Sequence, residues 1–223
     1  MATRPTQIVT GKVRLSYAHL FKPYAHNPGQ EPKYSTTILV PKNDTSTKAD
    51  IDRAIEAAKQ EGMSSKWGGQ IPPVVAIPVY DGDGVRPSDG QPFGEECKGH
   101  WVFTASSKQA PAVVDQAVQP ILDQSEVYSG MYARVSVNFF AYNSNGRKGI
   151  GAGLNNVQKL ADGEPLGGRT TAAEDFGAPV VQPGQQQAAS TYAQATQNAF
   201  GTPQQQAAPA IDPITGMPLA PGV

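Results

Sequence analysis

The chain has 223 residues, with 18 Lys and Arg against 19 Asp and Glu for a net charge of −1, so any cationic site must be a local patch and a uniformly basic surface is excluded. A single cysteine, Cys97, excludes an internal disulfide and suits a reducing compartment. No apolar run approaches the ~18 residues of a membrane-spanning helix, and "MATRPTQIVTGK" lacks the apolar core of a signal peptide, so the expectation is a soluble intracellular protein.

The first strand signal is "IVTGKVRLSYAHLF", in which Val13, Leu15 and Tyr17 alternate with Lys12, Arg14 and Ser16. Alternation of this kind marks a half-buried strand, with Lys12 and Arg14 facing out and Tyr17 sharing the apolar face. "KYSTTILVP" follows, rich in β-branched residues and stopped by Pro41. One helix then interrupts the series. In "DTSTKADIDRAIEAAKQEG" the residues Ile51, Ile55 and Ala58 share a face, Thr47 and Asp50 form a start resembling a capping box, and Gly62 is the stop.

"PVVAIPVY", "HWVFTASS" and "PAVVD" are further strand candidates, each bounded by Gly, Pro or Asp. Trp101 and Phe103 share one side of "HWVFTASS", and alternation leaves open which side is wet. "SGMYARVSVNFFAY" and "RKGIGAGLNNVQKL" close the set. Between them Asn145-Gly146 is the preferred pair for a two-residue type I′ turn, because both positions need φ > 0.

Folding about that turn pairs Ser144 with Arg147, Tyr142 with Gly149, Phe140 with Gly151 and Asn138 with Gly153. The alternate set pairs Ala141 with Ile150, Phe139 with Ala152 and Val137 with Leu154. One face is aliphatic and the other carries two aromatics above glycines. Those rings either cover cross-strand glycines or form an exposed stacking shelf with Arg134 on the same face and Arg147 and Lys148 at its rim. The glycines are not a phosphate loop: Gly149, Gly151 and Gly153 recur every second residue, with neither the G-x-G-x-x-G spacing nor a Gly-Lys-Ser/Thr ending.

Short strands with one helix near the middle predict a mainly β, OB-fold-like Greek-key barrel with one inserted α-helix over residues 1–176. From residue 177 to 223 the composition turns to Gln, Ala, Pro and Gly, and the only charged side chain after Phe176 is Asp212. Such a segment cannot bury enough apolar surface to offset its ordering entropy, so a disordered C-terminal tail is expected.

No nucleophile elbow, H-E-x-x-H or Cys–His arrangement supports catalysis, and one Cys with His19, His26 and His100 offers no metal spacing, so neither enzyme nor cofactor is expected. "DGDG" at 81–84 departs from a calcium loop because Val85 takes the third ligand position, and a solvated turn is the expectation. What recurs is aromatics interleaved with bases, the mixture single-stranded nucleic acid requires. The candidate DNA-binding residues are Lys12, Arg14, Lys33, Tyr34, Trp101, Phe103, Lys108, Arg134, Phe140, Tyr142, Arg147 and Lys148. Any one cluster is ordinarily core or solvated surface; their repetition along an OB-like strand series carries the signal.

"GKVRLSYAHLFKP", "KYSTTILVPK", "QAPAVVD", "EVYSGMYARVSVNFFAY" and "GRKGIGAGLNNVQKL", in this order, resemble a family of bacteriophage single-stranded-DNA-binding proteins with an OB-fold core. Val13, Arg14, Ser16 and Tyr17, then Tyr128-Ser129-Gly130, then the hairpin from Asn138 to Gly149 match best. The resemblance implies binding of single-stranded DNA in phage replication, recombination or repair, in the cytoplasm of the infected host. Partners it admits are phage or host replication and recombination proteins and further copies of the chain, with no membrane. The competing expectation is a phage structural or assembly protein using the barrel as an interaction module.

Overall fold

The computed structural model describes residues 4–25, 28–144 and 146–167. The expected tail, together with His26 and Asn145, lies outside the described residues. Eight strands form in chain order: β1 Gln7–Val9, β2 Val13–Tyr24, β3 Lys33–Pro41, β4 Tyr80–Asp81, β5 His100–Ser107, β6 Ala112–Val114, β7 Tyr132–Ser144 and β8 Arg147–Ala161. The one α-helix among the described residues, α1 Thr45–Ser65, lies between β3 and β4, and short 3-10 turns occur at Glu95–Cys97 and Gln124–Glu126.

β7 pairs with β2, β2 with β3, β3 with β5, β5 with β8, and β8 returns to β7, so five strands close into a barrel. Counted in chain order, these barrel strands stand 1-2-3-5-4 around the circle, and the β5–β8 contact is the parallel one, at Ser106 and Gly153. This is the mainly β, OB-like barrel expected from the sequence. β1 extends β7, β6 extends β8 and β4 extends β5.

Inward positions fill the barrel. Val13 and Leu15 of β2, Ile38 and Val40 of β3, Phe103 and Ala105 of β5, Val135, Val137 and Phe139 of β7, and Leu154 and Val157 of β8 form one buried cluster. At its centre the Phe103 and Phe139 rings lie 5.9 Å apart, tilted by 40°. Such a pair contributes about 0.5–1.5 kcal/mol beyond its area.

The helix lays Ile51, Ala54, Ile55 and Ala58 on this cluster. Its ends differ from the sequence expectation. Asp44 is the N-cap: its carboxylate accepts from the Thr47 N–H at 3.0 Å and from the Ser46 and Thr47 hydroxyls at 2.8 and 2.6 Å. Thr47 is buried and in turn accepts from the Gly11 N–H at 2.9 Å, tying α1 to the β1–β2 turn. Gly62 does not stop the helix, which runs on to Ser65; it is buried against Ala141 and Trp67, where a side chain has no room.

"PVVAIPVY" is not a full strand. It contributes an isolated bridge, Ala76 to Gly149, before β4 begins at Tyr80. Pro72, Pro73 and Pro78 lack the N–H that a ladder needs. Among the described residues no helix is long and apolar enough to cross a membrane.

Burial opposes ionisation of Asp44, but the bonds from Thr47 and Ser46 outweigh it and hold the carboxyl below its ordinary value. Asp44→Ala should lower stability at neutral pH by about 1 kcal/mol in a urea titration. A depressed carboxyl stabilises above its unfolded pKa and loses that contribution as pH falls through the folded one. The gap between wild type and variant should therefore shrink below about pH 4; a constant gap would mean the charged cap does not carry the effect.

Candidate nucleic-acid interface

In OB barrels, oligonucleotides bind across the outer face of the second and third strands, flanked by the loop joining the first two strands and the loop joining the last two. Here those strands are β3 and β5, and the flanking connections are the one between β2 and β3, described at residues 25 and 28–32, and the one between β7 and β8. Apart from Leu39 and Val102, which other segments cover, the outward residues are small and polar. Ser16 faces Thr37 across β2–β3, Thr37 faces Thr104 across β3–β5, and the two threonine hydroxyls are 2.9 Å apart. In the next row Ser35 faces Ser106, and Ser106 faces Gly153 of β8.

Beyond Gly153 on the same outer surface lies the β7–β8 hairpin. Its register is the one the sequence predicts, from Ser144 with Arg147 through Phe140 with Gly151 to Val137 with Leu154. Gly146 in the turn has φ +76°, the conformation a type I′ turn requires. Phe140 lies over two glycines: a Cβ on Gly151 would come within 2.7 Å of the ring and one on Gly153 within 3.6 Å. A Cβ on Gly149 would likewise come within 2.6 Å of the Tyr142 hydroxyl. The rings do cover glycines, yet Phe140 remains 44% exposed.

The predicted site residues fall into separate groups. Lys33 and Lys108 meet at one edge of the β3–β5 face, where Lys108 Nζ lies 2.6 Å from Glu31 and holds that carboxyl below its ordinary value. Phe140, Tyr142, Arg147 and Lys148 stand together on the hairpin. Lys12, Arg14 and Arg134 lie on the β2–β7 side. There Lys12 Nζ sits 4.4 Å above the Tyr132 ring, Arg134 Nε donates to the Thr10 carbonyl at 3.3 Å, and Arg14 donates to the carbonyls of Gly130 and Glu164 at 3.3 and 2.7 Å. Arg14 thus clamps two chain segments together.

Two members need correction. Phe103 is 1% exposed and belongs to the barrel core. Trp101 shares its side of β5 and lies beneath the ammonium groups of Lys42 and Lys48, at 5.2 and 4.7 Å from the ring centroid, at the junction with α1. Tyr34 has the strand parity of buried Thr36 and Ile38, opposite to Lys33, but is itself only half-buried at the end of β3. Alternation had left the wet side of β5 open, and burial places it at Thr104 and Ser106, while Val102 on the same side is covered.

Tyr17 is corrected in the other direction. Simple alternation puts it inside, but β2 breaks register between Ser16 and His19, and Tyr17 sits in that bulge with φ +49° and 60% of its surface exposed. A side chain held at positive φ costs on the order of 1–3 kcal/mol and persists only where the surroundings dictate it. Its ring stands beside the Ser16–Thr37–Thr104 row. Tyr80 of β4, 38% exposed, is placed next to Val102 on the other side of that row, with Phe93 6.5 Å away. Sequence reasoning missed these three because a bulge and a Pro/Gly-rich loop leave no periodic signal.

Among the described residues no group of three His, Cys, Asp or Glu could hold a metal ion. Cys97 is buried beside Leu39 and Val102, and burial pushes its thiol up to about 11, away from the thiolate form that reacts.

A family model described as "Enterobacter phage Enc34, ssDNA-binding protein" matches residues 6–188. Protein p50 of Acyrthosiphon pisum secondary endosymbiont phage 1 is 29% identical over 175 residues, 76% of this chain and 92% of its own. The solved structure of the single-stranded DNA-binding protein from bacteriophage Enc34 in complex with ssDNA matches with a TM-score of 0.61 at 33% identity, covering 73% of this chain and 90% of that one. A single-stranded DNA binding protein encoded by bacteriophage T7 shares the fold, with a TM-score of 0.50 at 14% identity over 79% of this chain and 98% of its own.

If the Phe140 ring supports the ladder by covering Gly151, Phe140→Ala should cost up to about 1 kcal/mol. That corresponds to about 2–4 °C in melting temperature for a domain of this size. An unchanged melt would show that the ring adds nothing to the fold.

Proposed function

The chain belongs to the family of the Enterobacter phage Enc34 ssDNA-binding protein, and we propose that it binds single-stranded DNA without strong sequence preference. The setting is phage DNA replication, recombination or repair in the cytoplasm of the infected host. The protein acts by coating and protecting the strand, with no catalytic step. One observation carries this reading: the outer face of β3 and β5 is a polar floor of Ser, Thr and Gly between exposed aromatic rings, Tyr17 at one end and Phe140 at the other.

Each part of that surface suits an unpaired strand. Aromatic rings stack any base, at about 1–3 kcal/mol per base, which gives affinity without sequence preference. Serine and threonine hydroxyls both donate and accept, so they meet every base edge. Lys33, Arg147 and Lys148 have no ion-pair partner among the described residues and are available to phosphates. Lys108 can exchange Glu31 for phosphate, since an exposed pair of this kind is worth only ~0–1 kcal/mol.

Fluorescence anisotropy with labelled oligo-dT should show binding that weakens linearly in log K against log salt, by about 0.7 per phosphate neutralised on a single strand. Lys33→Ala and Arg147→Ala should each reduce that slope by about one such increment. Absence of binding at low salt would overturn the reading and favour a structural or assembly role, whereas equal affinity for duplex would overturn its preference for single strands.

A further inference from the structure

The β3–β5 face is not open along its whole length. Residues 82–97 fold back over it from the "DGDG" turn. Lys42 Nζ lies 2.6 Å from the carboxylates of both Asp81 and Asp83, Asp83 also accepts from the Gly99 N–H at 2.8 Å, and Gly82 is packed against the Cys97 carbonyl. At the far end Phe93 and Cys97 pack on Leu39 and Val102 in a small second core. Between these anchors Val85 bridges to Pro92, and the Arg86 N–H donates to the Gln91 carbonyl at 2.7 Å. The overhang is therefore ordered before any ligand arrives, which removes an entropic cost of binding.

Beneath it lies a groove of about 630 Å³, within the range of roughly 300–1,000 Å³ found for small-molecule sites. The hydroxyls of Ser16, Thr37 and Thr104 line its floor, and Tyr17 and Tyr80 stand at its sides. Its charged lining residues are Arg86 and Glu96, and Arg86 is already paired with Asp89 at 3.0 Å. Such a groove offers no excess positive charge to a phosphate. It offers rings and hydrogen-bonding hydroxyls to a base.

We propose that this groove is a base-accepting slot: unstacked nucleobases enter beneath the overhang onto Tyr17, while the phosphates stay outside near Lys33 and Lys108. The proposal rests on the single-stranded-DNA reading and deepens it. A base still paired to a complementary strand cannot pass under the overhang, so the slot selects single over double strand. The strained backbone at Tyr17 is the cost of presenting the ring there.

The test uses the full chain carrying Tyr17→Gly, because glycine takes φ > 0 without strain and the melting temperature should hold or rise. Loss of a stack worth about 1–3 kcal/mol predicts a five- to hundredfold weaker affinity for oligo-dT. The salt slope should stay unchanged, as should affinity for a strand of the same length made of abasic sites. Equal weakening on the abasic strand, a reduced slope, or no effect on oligo-dT would overturn the slot. Replacing residues 87–90 by a two-residue Asn-Gly turn should raise duplex affinity relative to single strand, and an unchanged ratio would refute the selecting role. A wild-type chain that ignores oligo-dT at low salt removes the functional reading itself and the slot with it, whereas failure of the variants alone removes only the slot.

Discussion

The pairing of β7 with β8 is the interaction on which the rest of the structure depends. It fixes which residues of the longest two strands point into the barrel, and a slip of one residue would exchange the two faces. In the observed register Phe139 meets Phe103 in the core and Phe140 lies outside over Gly151. The same register brings Gly153 beside Ser106 and closes the barrel through the β5–β8 contact. Packing of Gly62 on Ala141, and the bond from the Trp67 indole N–H to the Tyr142 carbonyl at 3.1 Å, then seat the α1 end of the molecule on that hairpin. Core, interface floor and helix position all follow from one ladder.

Where the ladder is regular, the sequence is legible. The hairpin register could be read because Asn145-Gly146 sets the turn and alternation does the rest, and the helix was visible from Ile51, Ile55 and Ala58. Legibility fails wherever a backbone irregularity or a second neighbour intervenes. A bulge turns Tyr17 outward, which no alternation rule can foresee. Both sides of β5 are apolar near Trp101, since Val102 is buried under the overhang and Phe103 in the barrel, so hydrophobicity alone cannot name the wet side. Gly62 reads as a helix stop from its own conformational freedom, whereas its role is set by Ala141, far along the chain.

Charge follows a similar division. The chain is nearly neutral, and much of its positive charge holds the protein together. Arg14 clamps carbonyls, Lys42 pins the Asp81–Asp83 turn, and Lys48, Lys59 and Arg53 pair along α1. Clusters of bases and aromatics in the sequence therefore overstate the cationic interface, because sequence proximity does not reveal which cations are already engaged. Lys33, Arg147 and Lys148, which have no ion-pair partner among the described residues, stand at the strand ends nearest the two connections that flank the β3–β5 face. On the proposed function, the rings beside that face would add stacking to the charge contribution, and stacking is short-ranged and insensitive to salt.

That division bears on the aromatic hairpin, where covering a glycine and stacking a base need not compete. One edge of the Phe140 ring occupies the space that side chains at Gly151 and Gly153 would take, while the opposite side faces solvent. On the proposed function, a ring already packed on the glycines would have less rotamer entropy to lose when a base arrives. The glycines in turn keep this surface low, with no side chain between the ring and the neighbouring Ser106. On the proposed function, stability and binding would rest on the same ring: one part of Phe140 lies on glycine, and its exposed part is the one that a base would meet.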